Sequence, residues 1–410
     1  MSEADGVWHQ GDGGRGGPLE GVTVVALEQA VAVPFATRQL ADLGARVIKI
    51  ERSGRGDFAR DYDSAAGDGM SSWFVWLNRS KESVVLDLKT GADRQILERL
   101  ISQADVFVSN LSPRAINKLG FDADSLSARH PRLVICELSG YGDGPYANRK
   151  AYDLLVQAET GVVAVTGAPG APAKVGISIA DIAGGMYAYS GILSALLQRQ
   201  RTGHGSVVRL SLFASLAEWM SHPLLLTQLT GKPPRRSGAR HATIAPYGAY
   251  TTADGDEILL AVQNEREWRR LCESALELSD LVSDDRFSSN ERRVAHREEM
   301  DQMLSRAIAE LPTEELVRRL ENAEIAYASL ASVDQVLTHP QLAGRWMPVT
   351  AGARKVNVLV PPVSHSDFAP RFGPVPTLGQ DTVAVRTELR DVSSAEVDSS
   401  SFEDRSSSCP

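Results

Sequence analysis

Residues 21–52 read GVTVVALEQAVAVPFATRQLADLGARVIKIER. Val22–Leu27 is an apolar run bounded by Gly21 and Glu28, which predicts a buried strand. Phe35–Leu43 places apolar residues at helical spacing, and Val47–Ile50 predicts a second strand. The alternation continues outward with strand Val84–Leu88, helix Arg94–Ser102, strand Val106–Val108, a short helix and strand Leu133–Glu137. Strands alternating with helices imply an α/β fold, a Rossmann-like parallel sheet covered on both faces.

A long apolar helix is predicted from Ile182 to about Gln200, ending at Thr202-Gly203, since glycine is favoured where a helix stops. Strand Val207–Leu212 follows. Tyr247–Thr251 and Glu257–Val262 flank Ala253-Asp254-Gly255-Asp256, a hairpin signal, and amphipathic helices run to about residue 323. Residues 346–385 read as Pro-punctuated extended structure. A single core rarely grows beyond about 250–300 residues, so 410 residues imply two domains. The expected division is a large domain over 18–224, a smaller α+β domain over 225–330 and a return to the large domain over 331–390. Residues 1–17 are polar and Gly-rich and 391–410 are Ser-rich. Both are expected to be disordered tails, because neither can offset its ordering entropy by apolar burial.

Composition narrows the function. No apolar run approaches the roughly 18 residues that cross a bilayer, which argues against a membrane protein. The N-terminus lacks a basic, apolar leader, and the three cysteines, Cys136, Cys272 and Cys409, are scattered; a cytoplasmic location is expected. A net charge of −9 argues against general nucleic-acid binding, so any anionic ligand must meet a local basic patch.

A literal GxGxxG at Gly11, Gly13 and Gly16 precedes the first strand, whereas a dinucleotide fingerprint must follow one. The first strand-to-helix turn, Glu28 to Pro34, has no glycine to let backbone approach a pyrophosphate. Arg52 at the end of the second strand suggests a ligand with an extra phosphate, such as NADP or the 3′-phosphorylated ADP of CoA; a solvated charge is the plain alternative. No paired histidines, CxxC or GxSxG appear, so neither a metal site nor a serine hydrolase is expected. Asp181, opening the long helix, is either its N-cap or a carboxylate nucleophile. Gly184 and Gly185 each cost a helix roughly 1 kcal/mol relative to alanine, which close approach of a ligand would explain. First-turn amides could then stabilise an oxyanion. Ser139–Pro145, SGYGDGP, follows a strand at the ligand-binding edge of such sheets, with Tyr152 and Asp153 soon after.

Taken together these segments resemble the family III (CaiB/BaiF-type) CoA-transferases over about residues 18–385. The likeness is carried by PLEG at 18–21, LADLGARVIKIER at 40–52, NRSKESVVLDLK at 78–89, ADVFVSN at 104–110, GYGDGP at 140–145, the Asp181 segment, TGHG at 202–205 and HPQ at 339–341. The resemblance implies a homodimer of interlocked chains, no permanently bound cofactor, and coenzyme A as substrate with an acyl-CoA donor and a carboxylic acid acceptor. It implies that Asp181 attacks the thioester and passes through aspartyl anhydride and aspartyl-CoA intermediates. Positions matching the family's CoA contacts are Arg52, Leu86, Asn110, Lys118 and Lys150, and Val31 and Ala32 are further candidate CoA contacts. Tyr152, Gly184 and Gly185 are candidate substrate contacts.

Val31 stands where formyl-CoA transferase carries a glutamine, which argues against oxalate and formyl-CoA. The stretches 28–38 and 240–248 look more like the branch acting on C4 and C5 dicarboxylyl-CoA esters of the mesaconyl-CoA and succinyl-CoA type. Arg38, Arg240 or His241 could then orient the free carboxylate by a charge-assisted contact. An α-methylacyl-CoA racemase would carry a histidine where this chain has Tyr152, and a non-catalytic CoA-binding protein is a further alternative.

Overall fold

The computed structural model describes residues 17–391; positions 1–16 and 392–410 of the expected tails, the GxGxxG and Cys409 lie outside the described residues. The strands are β1 (Thr23–Leu27), β2 (Arg46–Glu51), β3 (Lys81–Val85), β4 (Val106–Ser109), β5 (Val134–Ser139), β6 (Gly167–Ala168), β7 (Ala171–Pro172) and β8 (Val207–Ser211), then β9 (Tyr247–Thr251), β10 (Glu257–Ala261), β11 (Ala326–Ser329), β12 (Trp346–Ala351) and β13 (Arg354–Leu359). Two units divide the described residues: those up to 160, 176–220 and those from 343 form the first, 161–175 and 221–342 the second. The sequence reading placed residues 161–175 in the large domain, and its boundaries at 225 and 331 fall here at 221 and 343.

In the first unit six strands form one sheet in the order β3-β2-β1-β4-β5-β8. Every pairing is parallel. Because side chains alternate along a strand, Val25, Leu27, Ile48, Ile50, Phe107 and Ile135 share a face and pack on Ile96, Leu97, Leu100 and Ile101 of the helix Gly91–Gln103. The opposite face, with Val24, Ala26, Val106 and Val108 fully buried, lies on the side of the helices Ala32–Asp42 and Ile179–Thr202, which pack on each other. The chain reverses its direction of travel between β1 and β4, and their carboxyl ends flank the crevice where such sheets bind ligands.

The first helix begins at Ala32, not Phe35, because Pro34 sits in its first turn, where a missing N–H costs nothing. β3 starts at Lys81 rather than at the first valine. Lys81 pairs in register with Val47 while its ammonium is buried, a feature that apolar periodicity cannot register. The long helix ends as expected, with Gly203 at φ 75° as its left-handed cap. The returning segment forms the hairpin β12–β13, packed on Met70 and Phe74. Its last part is not extended: residues 382–391 are helical, and Val385 and Leu389 enter the core beneath the sheet. The second unit has its own antiparallel sheet, β11-β10-β9, and its own core around Trp268, Phe287, Met300 and Leu316.

Charged groups are buried beside the carboxyl ends of β1 and β2, and Lys81 reaches them from the start of β3. Glu28 accepts from Lys81 at 2.7 Å, Lys49 at 3.3 Å and Thr37 at 2.7 Å. Lys49 also donates to Asp57 at 2.8 Å, and Arg60 makes a bidentate pair with Glu51. Burial works against the Lys49 ammonium, but Asp57, Glu28 and Glu51 outweigh it and raise its pKa. Removing one member of such a cluster leaves an uncompensated buried charge. Lys49→Met is therefore expected to cost about 3–5 kcal/mol of stability. Arg46→Met, which breaks the half-exposed pairs to Glu82 and Glu388, should cost about 1 kcal/mol or less. Urea unfolding of both variants checks this, and equal losses would refute the ranking.

Candidate active site

Asp181 stands in the first turn of the helix Ile179–Thr202, which starts after Ser178. It is not the N-cap. The acceptor at this helix start is Asp153, whose Oδ1 accepts from the Ala180 amide at 2.8 Å and the Asp181 amide at 3.4 Å. Asp153 opens the short helix Asp153–Glu159, and Gln157 donates to its Oδ2 at 2.7 Å. The Ile179 and Ile182 amides donate to the carbonyls of Ile177 and Ser178. The first-turn amides are thus engaged, and the oxyanion role expected of them has no free donor here. The Asp181 carboxyl is left to a different environment: burial, then the like charge of Asp153, pushes its pKa up to about 7.

Beside it lies an aromatic strip that sequence reading missed. Tyr62 meets Phe58 at 5.8 Å and Trp73 at 6.1 Å between ring centroids, Trp73 meets Trp76 at 5.9 Å, and Trp76 meets Phe35 at 5.5 Å. Tyr62 feels Asp181: burial first, then the charges of Asp57, Asp181 and Tyr152, raise its hydroxyl to about 12. The density of aromatics in 58–76 was the available signal, spread over a 3₁₀ turn and a helix with no motif spacing.

Gly184 and Gly185 are explained by packing. A Cβ on Gly185 would lie 2.5 Å from the Ala32 carbonyl oxygen and 2.9 Å from Phe35, and one on Gly184 would lie 2.8 Å from Leu212. Both are buried against protein, which corrects their reading as a ligand approach. Val31 and Ala32 are likewise buried, at the turn after β1. Asn110 ties that turn to the end of β4, accepting from the Gln29 amide at 3.0 Å and donating to its carbonyl at 2.7 Å. Arg52, just beyond β2, is exposed and its Nε donates to the Gly56 carbonyl at 2.7 Å. Lys118, on the helix after β4, and Lys150, in the loop after β5, are exposed. Tyr152 is 64% exposed.

Four of the expected side-chain contacts are engaged elsewhere, those of Leu86, Arg38, Arg240 and His241. The Leu86 side chain is in the core beneath the sheet, so only its backbone faces the strand end. Arg38 is 7% exposed, with its guanidinium 2.9 Å from an Asp42 carboxylate that also accepts two bonds from Arg79, so burial keeps it from a substrate. In the second unit Arg240 pairs with Asp301 at 3.0 Å. His241 there accepts from the Thr243 amide through Nδ1, and burial, Arg297 and His222 lower its pKa, so it is not a standing cation at neutral pH.

The family model of CoA-transferase family III matches residues 19–382. The chain belongs to that family. It is a CoA-transferase. It is 35% identical to the acetyl-CoA:oxalate CoA-transferase of Acetobacter aceti over 91% of this chain and 96% of that one. It is 33% identical to the succinate–glutarate CoA-transferase of Agrobacterium fabrum over 92% and 96%. A crystal structure of a CaiB/BaiF family protein from Brucella suis superposes with a TM-score of 0.80 at 32% identity, covering 92% of this chain and all of that one.

An aspartate whose folded pKa is raised holds its proton more tightly when folded. Its contribution is therefore fully present below the unfolded value near 3.9 and is lost as pH rises through about 7. Asp181→Asn should accordingly stabilise the protein at pH 8 by about 1–3 kcal/mol, after discounting for the part of the carboxylate that meets water. The gain should shrink as pH falls toward 4. Thermal melts at pH 5, 6 and 8 test the sign, and a gain that does not vary with pH would contradict the assignment.

Proposed function

We propose that this CoA-transferase moves CoA between carboxylic acids with Asp181 as the covalent carrier. The observation that carries the reading is a carboxylate with a pKa near 7 in the first turn of a helix beside the ligand-binding edge of a parallel sheet. An ionised Asp181 oxygen adds to the acyl-CoA carbonyl, the C–S bond breaks, and an aspartyl anhydride and CoA thiolate result. The thiolate then attacks the aspartyl carbon and expels the acyl group as a carboxylate, leaving an aspartyl thioester. The acceptor carboxylate displaces the thiolate to form a second anhydride. Attack of the thiolate on the acceptor's acyl carbon frees Asp181. Each step exchanges one acyl bond for another, so no net redox change or water enters.

The preferred acids are C4 and C5 dicarboxylates, of the succinyl-CoA and mesaconyl-CoA type. The succinate–glutarate relative supports this class. The expectation against oxalate loses its support, since an oxalate-named relative is 35% identical. Arg52, Lys118 and Lys150, exposed and with no carboxylate partner among the described residues, are proposed to meet the phosphates of CoA. The acting species is proposed to be a homodimer. Exposed Leu154, Leu155 and Leu197 on the first unit, and a helix at Ser221–Thr230 with no buried residue on the second, support apolar surface awaiting cover.

Asp181→Ala should abolish transfer without unfolding the chain, and hydroxylamine should trap the native enzyme at Asp181 during turnover with acyl-CoA. Retained activity in the variant would overturn the covalent route. In a panel of donors and acceptors, succinyl-CoA with glutarate, mesaconate or oxalate should outrun monocarboxylate pairs. A clear preference for monocarboxylic acids would remove the dicarboxylate reading alone.

The pH profile tests the poise of the nucleophile. kcat/KM should rise with pH to a plateau above about 7. Asp153→Asn keeps an acceptor for the Ala180 amide but deletes the like charge, so the inflection should move to lower pH. An unmoved inflection would dismiss Asp153 as a determinant.

A further inference from the structure

The second unit contains a cleft of about 1670 Å3 between the segment 232–242 and the helices Asn290–Ala295 and Arg297–Ile308. Six cationic side chains line it: Lys232, Arg235, Arg236, Arg240, Arg297 and Arg306. They face three carboxylates, and two of those are already committed. Asp301 pairs with Arg240 and accepts from the Tyr250 hydroxyl, while Glu299 pairs with Arg286 and His296. Glu298 is the third. Among the described residues Lys232, Arg235, Arg297 and Arg306 have no carboxylate partner.

Arg236 adds an independent mark. Its Nη1 donates to the Ala164 carbonyl at 3.1 Å, but its Nε is buried with no hydrogen-bond partner among the described residues. A buried donor left unmade is unfavourable and is usually met by a partner the protein itself does not supply. A chain of net charge −9 thus concentrates unmatched positive charge in one concavity. No Phe, Tyr or Trp lines the cleft, and the one imidazole there, His296, is paired with Glu299; the recognition elements are guanidinium forks and an ammonium. Several separated cations suit an anion carrying more than the two charges of a small dicarboxylate, with its charge distributed over tetrahedral groups.

We propose that this cleft is a binding site for a pyrophosphate group, either free or carried by a nucleotide. The site does not depend on Asp181 or on the transfer reaction. Calorimetric titration of the full chain with inorganic pyrophosphate, ADP and succinate at low salt tests it. The chain should carry Arg52→Gln and Lys118→Gln, so that phosphate binding beside the sheet does not contribute.

Pyrophosphate should bind saturably, at least tenfold more tightly than succinate. Arg235→Gln with Arg306→Gln, both exposed positions, should weaken it at least tenfold with the thermal melt unchanged. ADP binding as tightly as pyrophosphate would identify a nucleotide as the source, and pyrophosphate alone a free anion. No saturable binding, binding untouched by the Arg235 and Arg306 replacements, or succinate binding equally well would overturn the proposal. Transfer activity is not read in this experiment, so its outcome and that of the covalent route remain separable.

Discussion

The buried charges beside the carboxyl ends of β1 and β2, joined by Lys81 from the start of β3, are the constraint on which the site rests. Glu28, Asp57 and Glu51 face Lys49, Lys81 and Arg60 out of reach of solvent, and burial lowers the Lys81 pKa to about 7. A lone charge so placed would be prohibitive, and the cluster persists because each member has partners. Its geometry reaches the surface through the loops. Asp57 accepts from the Ala30 amide and holds Ala30 at φ 62°, a left-handed turn made without glycine. That turn delivers Val31 and Ala32 to the start of the first helix, and the same Asp57 caps the 3₁₀ turn that begins the aromatic strip.

The arrangement around Asp181 is a second balance of opposing terms. A carboxylate in the first turn of a helix gains about 0.3–1 kcal/mol from the helix dipole, which by itself would lower its pKa. Asp153 takes the most useful part of that field, because its oxygen sits on the Ala180 and Asp181 amides. What remains for Asp181 is burial and repulsion from its neighbour, so the net displacement is upward. A carboxylate held in this way is easily protonated and correspondingly more nucleophilic when ionised. Tight backbone packing fixes its direction: Gly185 lets the long helix approach the Ala32 carbonyl to a distance no side chain would permit.

Much of the fold was legible because its strands are apolar on both faces and its helices are not. The strand β1, the long helix with its Gly203 stop and the β9–β10 hairpin could be read from period and turn residues alone. What escaped were positions where polar chemistry overrides pattern. Lys81 begins a strand with its amine buried against Glu28, and Arg38 looked like a free cation until the helix brought Asp42 one turn below it. From its residues alone Asp181 read first as a cap and only through the family resemblance as a nucleophile, since the residue that does the capping, Asp153, is distant in sequence. His241 read as a charge because a sequence does not show that Arg297 and His222 face it.

Local charge, not net charge, decides what an acidic protein can bind. With an ionic atmosphere screening fields over about 8–10 Å, the surplus of carboxylates elsewhere on the chain matters little to a ligand once it is inside a cleft. What matters is whether nearby cations have been spent on internal partners. Arg46, Arg199 and Arg319 are neutralised by carboxylates beside them and present little to solvent. Arg52, Lys118 and Lys150 on the first unit, and Lys232, Arg235 and Arg306 on the second, have no such partner among the described residues. In each unit the unmatched cations include those bordering a ligand-sized opening or the carboxyl edge of the sheet. A chain with a surplus of nine negative charges can therefore present two anion-attracting surfaces. Electrostatics of this kind follows from the placement of ion pairs, which only the folded arrangement of Asp301, Arg240 and their neighbours discloses.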